Sequence, residues 1–189
     1  VTREVVELAR PAGAAVEAEL GQLPFGSGNA GAGGSAAGEP GKTDEVLPSL
    51  TDPHQAAEFV ERTGVDALAV SIGNVHVQLQ GTSTVDLELL GRIREKVRVP
   101  LVIHGFTGFP ERAIEKAISL GVAKFNVGTV LKKTFLNGLR DALDGTPRDA
   151  NPQHTVGSRG GRDVTARACE GVQREVERLI TLFRGEAGS

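Results

Sequence analysis

Three apolar runs of strand length punctuate the middle of this chain: VDALAVSI at 65–72, PLVIH at 100–104 and VAKFNV at 122–127. Each leads into a turn rich in small residues and then into a stretch with apolar residues at helical spacing. A strand–turn–helix period repeated in this way restricts the fold to an α/β class with a parallel sheet and right-handed crossovers. A fourth strand precedes these. In AAVEAEL (14–20) apolar and acidic residues alternate, so Glu17 and Glu19 share one face of the strand.

Helices fill the intervals. Thr2–Arg10 carries Val5, Val6, Leu8 and Ala9 at helical spacing and stops at Pro11 and Gly13. Asp52 is a plausible N-cap before Pro53, and Gly64 closes the helix that follows. Further helices are predicted over 86–97, 111–120, 130–143 and 164–183, the last reached through a polar connection at 144–162. The pattern predicts one domain over residues 1–189. Its four strands could form a small open sheet, but the spacing of the later units suits a (β/α) barrel, of which four strands are half. Residues 21–50 are dominated by Gly, Ser, Ala and Pro, too long for an ordinary connection, and read as a mobile loop within the domain. Val1 starts in the course of a helix and methionine is absent, so the sequence reads either as a fragment or as a chain in which Val1 stands for a non-standard start.

Bulk composition narrows the function classes. A net charge of −3, a pI near 5.9 and the lack of a basic stripe argue against nucleic acid as a partner. The single cysteine, Cys169, excludes an internal disulfide. No apolar run approaches the ~20 residues of a membrane-spanning helix, so a cytoplasmic location is expected.

Chemistry-bearing residues gather where strands end. His76 lies in the loop after 65–72, and His104 directly follows PLVI. In βα folds the C-terminal rim of the sheet is where ligands bind. A lone loop histidine is more often a surface residue; two on one rim make a metal site plausible, since neutral imidazole suits zinc. A catalytic zinc takes three protein ligands, and neither His54 in a helix nor His154 in the polar connection is a convincing third. Glu17 and Glu19 read either as solvated charge or as groups beside a metal or on a proton relay. Gly105-Phe106-Thr107-Gly108 and Asn126-Val127-Gly128-Thr129 each join a strand to a helix, and backbone N–H groups at such turns hold phosphate. Glycine is common in βα loops in any case; two such turns after the last two strands strengthen the phosphate reading.

The runs TREVVELARPAGAAVEAELG, TDPHQAAEFVERTGVDALAVSIGNVH, PLVIHGFTG and AKFNVGT resemble, in order and spacing, the class II, zinc-dependent ketose-bisphosphate aldolases. The resemblance implies a (β/α)8 TIM barrel, of which this chain is the C-terminal half, strands five to eight with their helices. It also implies reversible aldol chemistry in which Zn2+ polarises the carbonyl of glycerone phosphate without a Schiff-base lysine. His76 and His104 match two of three zinc histidines. Gly105, Phe106 and Thr107 match the first phosphate turn; Asn126, Val127, Gly128 and Thr129 match the second, with Asn126 near the substrate carbonyl carbon. Glu19 corresponds to an acidic residue near the metal and is the candidate catalytic group.

The chain departs from the pattern in places. The family's Asp-His pair, which supplies a third zinc ligand and a proton donor, does not occur. Val77 stands where glycine usually follows the first histidine. Phe106 replaces the second glycine of HGGSG, Thr107 its serine, and Gly128 agrees with tagatose-type members. The expected function is zinc-dependent cleavage and condensation of a ketose 1,6-bisphosphate, giving glycerone phosphate and glyceraldehyde 3-phosphate, impaired in this chain alone. The expected partners are a small sugar phosphate and either a homo-oligomer or the missing N-terminal half. The alternative is a non-catalytic half-barrel that binds sugar phosphate or assembles with a partner chain.

Overall fold

The computed structural model describes residues 1–23, 50–75 and 82–184. They form two compact units, Val1–Asn126 and Val127–Ser189.

The first unit alternates helices and strands in chain order: α1 (Thr2–Ala9), β1 (Glu17–Leu20), α2 (Pro53–Thr63), β2 (Ala67–Val70), α3 (Leu87–Lys96), β3 (Leu101–Ile103), α4 (Ile114–Ser119) and β4 (Val122–Phe125). The sheet is wholly parallel with order β1-β2-β3-β4. Local chemistry sets the helix ends as the sequence predicts. The Asp52 carboxylate accepts the N–H groups of His54 and Gln55 at 2.9 Å each, and Gly64 turns the chain out of α2 in the left-handed region at φ 70°. Asp86 caps α3 by accepting the N–H of Leu89 at 2.8 Å.

The two faces of the sheet differ in kind. Leu68, Val70, Leu101 and Ile103 are fully buried, as are the helix residues Leu90, Ile93, Ile114 and Ala117, and all belong to the core of this unit. The opposite face carries Glu17 and Glu19 on β1, Ala69 on β2, Val102 on β3 and Lys124 on β4. In register, Glu19 stands beside Ala69, Ala69 beside Val102, and Val102 beside Lys124. One irregularity produces this alignment. Leu101 pairs with Val122 but Val102 pairs with Lys124, so Ala123 is an extra residue bulged out of the ladder. A regular strand would put Ala123 opposite Val102; the bulge brings Lys124 there instead.

Thr51 ties the ends of β1 and β2 together. Its hydroxyl donates to the carbonyl of Leu20 at 2.5 Å and accepts the N–H of Ser71 at 2.8 Å.

The second unit is helical: α5 (Thr129–Asp144), α6 (Pro152–Thr155) and α7 (Val164–Arg184). Helices α5 and α7 pack closely, because a Cβ added to Gly138 would lie 3.0 Å from Cα of Ala168. Asp163 starts α7, accepting the Thr165 hydroxyl at 2.6 Å and the N–H groups of Thr165 and Arg159. These bonds, the Thr165 hydroxyl foremost, lower its pKa to about 2. The polar connection at 144–162 holds one element beyond those read from the sequence, the single turn α6, capped by Asn151 through the N–H of Gln153 at 3.0 Å. Of the loop expected at 21–50, residues 24–49 lie outside the described residues; Leu23 at its start is buried.

Candidate active site

His104 stands at the end of β3, on the polar face of the sheet, and both of its ring nitrogens meet carboxylates of β1. Nδ1 lies 2.6 Å from Oε2 of Glu19, and Nε2 lies 2.9 Å from Oε1 of Glu17. The alternation in AAVEAEL brings this about, because a period of two sends Glu17 and Glu19 to the same side. The bridge passes over Ala69, which is fully buried and leaves room for it. Lys124 completes the cluster: its Nζ donates to the second oxygen of Glu17, Oε2, at 2.7 Å. A chain of charged contacts thus runs from β4 through β1 to β3.

Carboxylates only accept hydrogen bonds, so an imidazole facing one at each nitrogen carries both protons and a positive charge. The electrostatics agree. The bond to Glu19 raises the pKa of His104, burial opposes it, and the bond to Glu17 adds to the rise. Burial works to raise the pKa of Glu17, but the bonds from Lys124 and His104 together outweigh it and lower the value.

The backbone around His104 is fixed as firmly as its ring. Asn74 is fully buried. Its side-chain oxygen accepts the N–H of Ile72 at 2.8 Å, while its amide donates to the carbonyls of His104 at 2.8 Å and Val70 at 3.3 Å. The β3–α4 turn then bends through Gly105 and Gly108, both at positive φ (66° and 91°). Ser83 holds it by donating its N–H at 2.8 Å and its hydroxyl at 3.0 Å to the carbonyl of Gly108.

Phe106 is no surface obstruction. Its side chain is buried, stacked on Phe109 at 6.3 Å between ring centroids and edge-on to Phe125 at 5.7 Å. Phe125 pairs with Ile103 on the core side of the sheet. The bulk of the Phe106 ring is therefore absorbed by an aromatic trio, which anchors the turn. Thr107 is half-buried.

Asn126 follows β4 and donates its N–H to the carbonyl of Ile103 at 2.9 Å, beside the end of β3. Val127 and Gly128 lead into α5, with Gly128 as its N-cap and Thr129 as its first residue. A Cβ added to Gly128 would meet nothing within 4 Å. His76 lies outside the described residues, as does Val77. His54 and His154 sit on α2 and α6.

The donors present suit a divalent metal in kind: an imidazole at a strand end, with a carboxylate within hydrogen-bonding distance of it. They do not complete a site. Among the described residues no group of three His, Cys, Asp or Glu side chains is arranged to hold a metal ion. A metal on His104 also requires one flanking carboxylate to yield its nitrogen. Two members of the cluster escaped sequence reasoning. Lys124 is the lone charge inside an otherwise apolar strand, and Asn74 is a polar residue wedged between Gly73 and Val75 just past a strand; each was a visible anomaly.

Known proteins share this fold. The family model "Fructose-bisphosphate aldolase class-II" matches residues 1–188. Among solved structures, the YdjI aldolase from Escherichia coli K12 is 33% identical with a TM-score of 0.69, over 98% of this chain and 54% of that one. A putative fructose-1,6-biphosphate aldolase from Coccidioides immitis is 31% identical with a TM-score of 0.66, over 93% of this chain and 55% of that one. Fructose-bisphosphate aldolase from Campylobacter jejuni, 24% identical over 96% of this chain and 55% of that one, shares the fold with a TM-score of 0.67. The chain spans about half the length of each, and its four parallel strands are part of a barrel. The match over nearly every residue, with the parallel sheet and its strand-end histidine, makes this chain a member of the class-II fructose-bisphosphate aldolase family.

Proposed function

We propose that the chain contributes the C-terminal half of a zinc-dependent aldolase that cleaves and condenses a ketose 1,6-bisphosphate, with glycerone phosphate and glyceraldehyde 3-phosphate as the three-carbon partners. The observation that carries this is His104, delivered to the strand end between two carboxylates and followed at once by a glycine-flanked turn. Family membership supports the chemistry. Zinc, when bound, supplies Lewis-acid polarisation of the ketone carbonyl. His104 and His76 are its proposed ligands in this chain, and Glu19, at 2.6 Å from the His104 ring, is the nearest group to accept or return a proton.

The sugar phosphate is assigned to the two turns. In the first, Gly105, Phe106 and Thr107 offer backbone N–H groups and one hydroxyl. Burial of the Phe106 ring in the aromatic trio keeps its bulk off the ligand side. In the second, Asn126, Val127, Gly128 and Thr129 lead into α5, and Gly128 has open space around it. A soluble, cytoplasmic role in sugar-phosphate metabolism accords with this, and no helix among the described residues is long and apolar enough to cross a membrane.

Turnover by the isolated chain is expected to be impaired, because it spans about half of the solved aldolases and His76 and His104 would hold zinc less tightly than three ligands. The test is aldol cleavage of fructose and tagatose 1,6-bisphosphates by purified protein, together with zinc stoichiometry. Rapid turnover by this chain alone defeats the proposed impairment. Failure of His104→Ala to reduce zinc uptake defeats the ligand assignment.

A second function has its own support. Strands β1 and β4 are the two edges of the sheet among the described residues, and unpaired edges favour pairing with further strands. A polypeptide supplying the remaining half of the barrel is the proposed occupant, as the chain spans 54% and 55% of the solved aldolases. Light scattering decides between this non-catalytic assembly role and a self-sufficient monomer.

A further inference from the structure

We propose that Lys124 is a positioning residue: acting through Glu17, it fixes the imidazole of His104 in the orientation the site requires. This rests on the metal-dependent function proposed above, but its evidence is geometric. Lys124 does not contact His104. It donates to one oxygen of Glu17 at 2.7 Å, and the other oxygen of the same carboxylate faces Nε2 of His104 at 2.9 Å. The two oxygens of one carboxylate are thus spanned between a cation on β4 and a ring on β3, which sets the rotation of the carboxylate and hence the direction from which it grips the ring.

The two carboxylates are unlike in this respect. Glu17 has a second strong partner in Lys124 and a side chain 25% exposed; Glu19 has a side chain 29% exposed, with His104 as its ion-pair partner. Glu17 is therefore the fixed side of the clamp. The fold spends a structural irregularity to bring Lys124 there, since only the bulge at Ala123 sets it opposite Val102 on the polar face. Stability alone does not explain the arrangement: the Lys124 side chain is 53% exposed, and ion pairs so open to solvent add little to folding.

The experiment compares Lys124→Met and Lys124→Arg with the parent chain by three measurements. In the metal-free protein labelled with 15N-histidine, K124M should shift the Nε2 resonance of His104 while leaving Nδ1 close to its parent position; K124R should restore Nε2. Zinc affinity, measured by competition with a chromophoric chelator, should fall roughly tenfold to a hundredfold in K124M, the usual cost of losing a group that orients a metal-ligating histidine. It should recover in K124R to within about threefold of the parent. The thermal midpoint of K124M should stay within about 2 °C of the parent, as for a surface pair.

An unmoved Nε2 signal in K124M overturns the proposal. So does unchanged zinc affinity when the parent binds zinc, or a large fall in the thermal midpoint that accounts for both effects. If the parent takes up no zinc at His104, the metal-dependent function fails, and the ring-nitrogen shifts alone then decide the role of Lys124.

Discussion

The side-chain amide of Asn74 donates to the backbone carbonyl of His104 at 2.8 Å, from a position completely sealed from solvent. The same side chain accepts from Ile72 and donates to Val70, so one residue joins the ends of β2 and β3. Replacement by alanine strands a buried N–H and two carbonyls at once. Asn74→Ala should therefore destabilise the protein by about 1–3 kcal/mol. Asn74→Asp, which keeps the acceptor but loses the donor, should not recover that loss. Urea unfolding of both variants checks this, and parent-like midpoints would show that the bond to His104 contributes nothing.

Ala69 is fully buried in register between Glu19 and Val102, below the bridge from Glu19 to His104. A larger side chain must displace either the strand or the bridge. Ala69→Leu is expected to cost about 1–3 kcal/mol from overpacking and to separate Glu19 from Nδ1 of His104. Histidine ring shifts in the variant report the second effect directly.

The cluster also predicts how stability depends on pH. His104 has a raised pKa, so its contribution is fully present below 6.5 and is lost as pH rises through the raised folded-state value. Glu17 has a lowered pKa, so its contribution is present above 4.5 and is lost as pH falls through the lowered value. Between those limits the interaction is complete.

Metal uptake should follow the opposite course on the alkaline side. Zinc needs a neutral imidazole, so affinity should climb with pH through the raised value of His104, with a midpoint above 6.5. Glu19→Gln removes the leading cause of that rise and should move the midpoint toward lower pH. Chelator competition from about pH 5.5 to 9 measures both curves; superimposable curves would remove Glu19 from the account.

In the helical unit, Gly138 permits the close approach of α5 to Ala168 on α7. A glycine inside a helix ordinarily costs about 1 kcal/mol relative to alanine, so the contact must offset that cost. Gly138→Val should force the helices apart and lose about 1–3 kcal/mol. Thermal unfolding monitored by circular dichroism distinguishes this from the small gain that relief of a bare propensity penalty would give.

Much of this was legible before any coordinates. Apolar runs bounded by glycine mark the strands, and Asp52 and Gly64 act as the caps their types predict. The shared face of Glu17 and Glu19 follows from their spacing. What the spacing left open was their partner: alternation gives a side of the sheet but not which neighbour lies across it, and the bond to His104 joins residues 85 positions apart. Lys124 was hidden for a different reason. Strict alternation from Val122 assigns it to the core side, and only a bulge, which leaves no reliable mark in a single sequence, reverses that. The direction of the Phe106 ring was hidden as well, because it depends on Phe109 and Phe125, contacts that periodicity does not encode.

The bulge has a consequence for comparing relatives of this chain. Ala123 takes no place in the pairing, so a homologue with that codon deleted would keep its cation indoors and its aromatic outdoors, with an unbroken ladder. A deletion one step later would remove Lys124 itself and set Ala123 opposite Val102, leaving the polar face without its cation. Alignments that slide the gap by a single column across this strand will therefore misidentify which position lines the barrel.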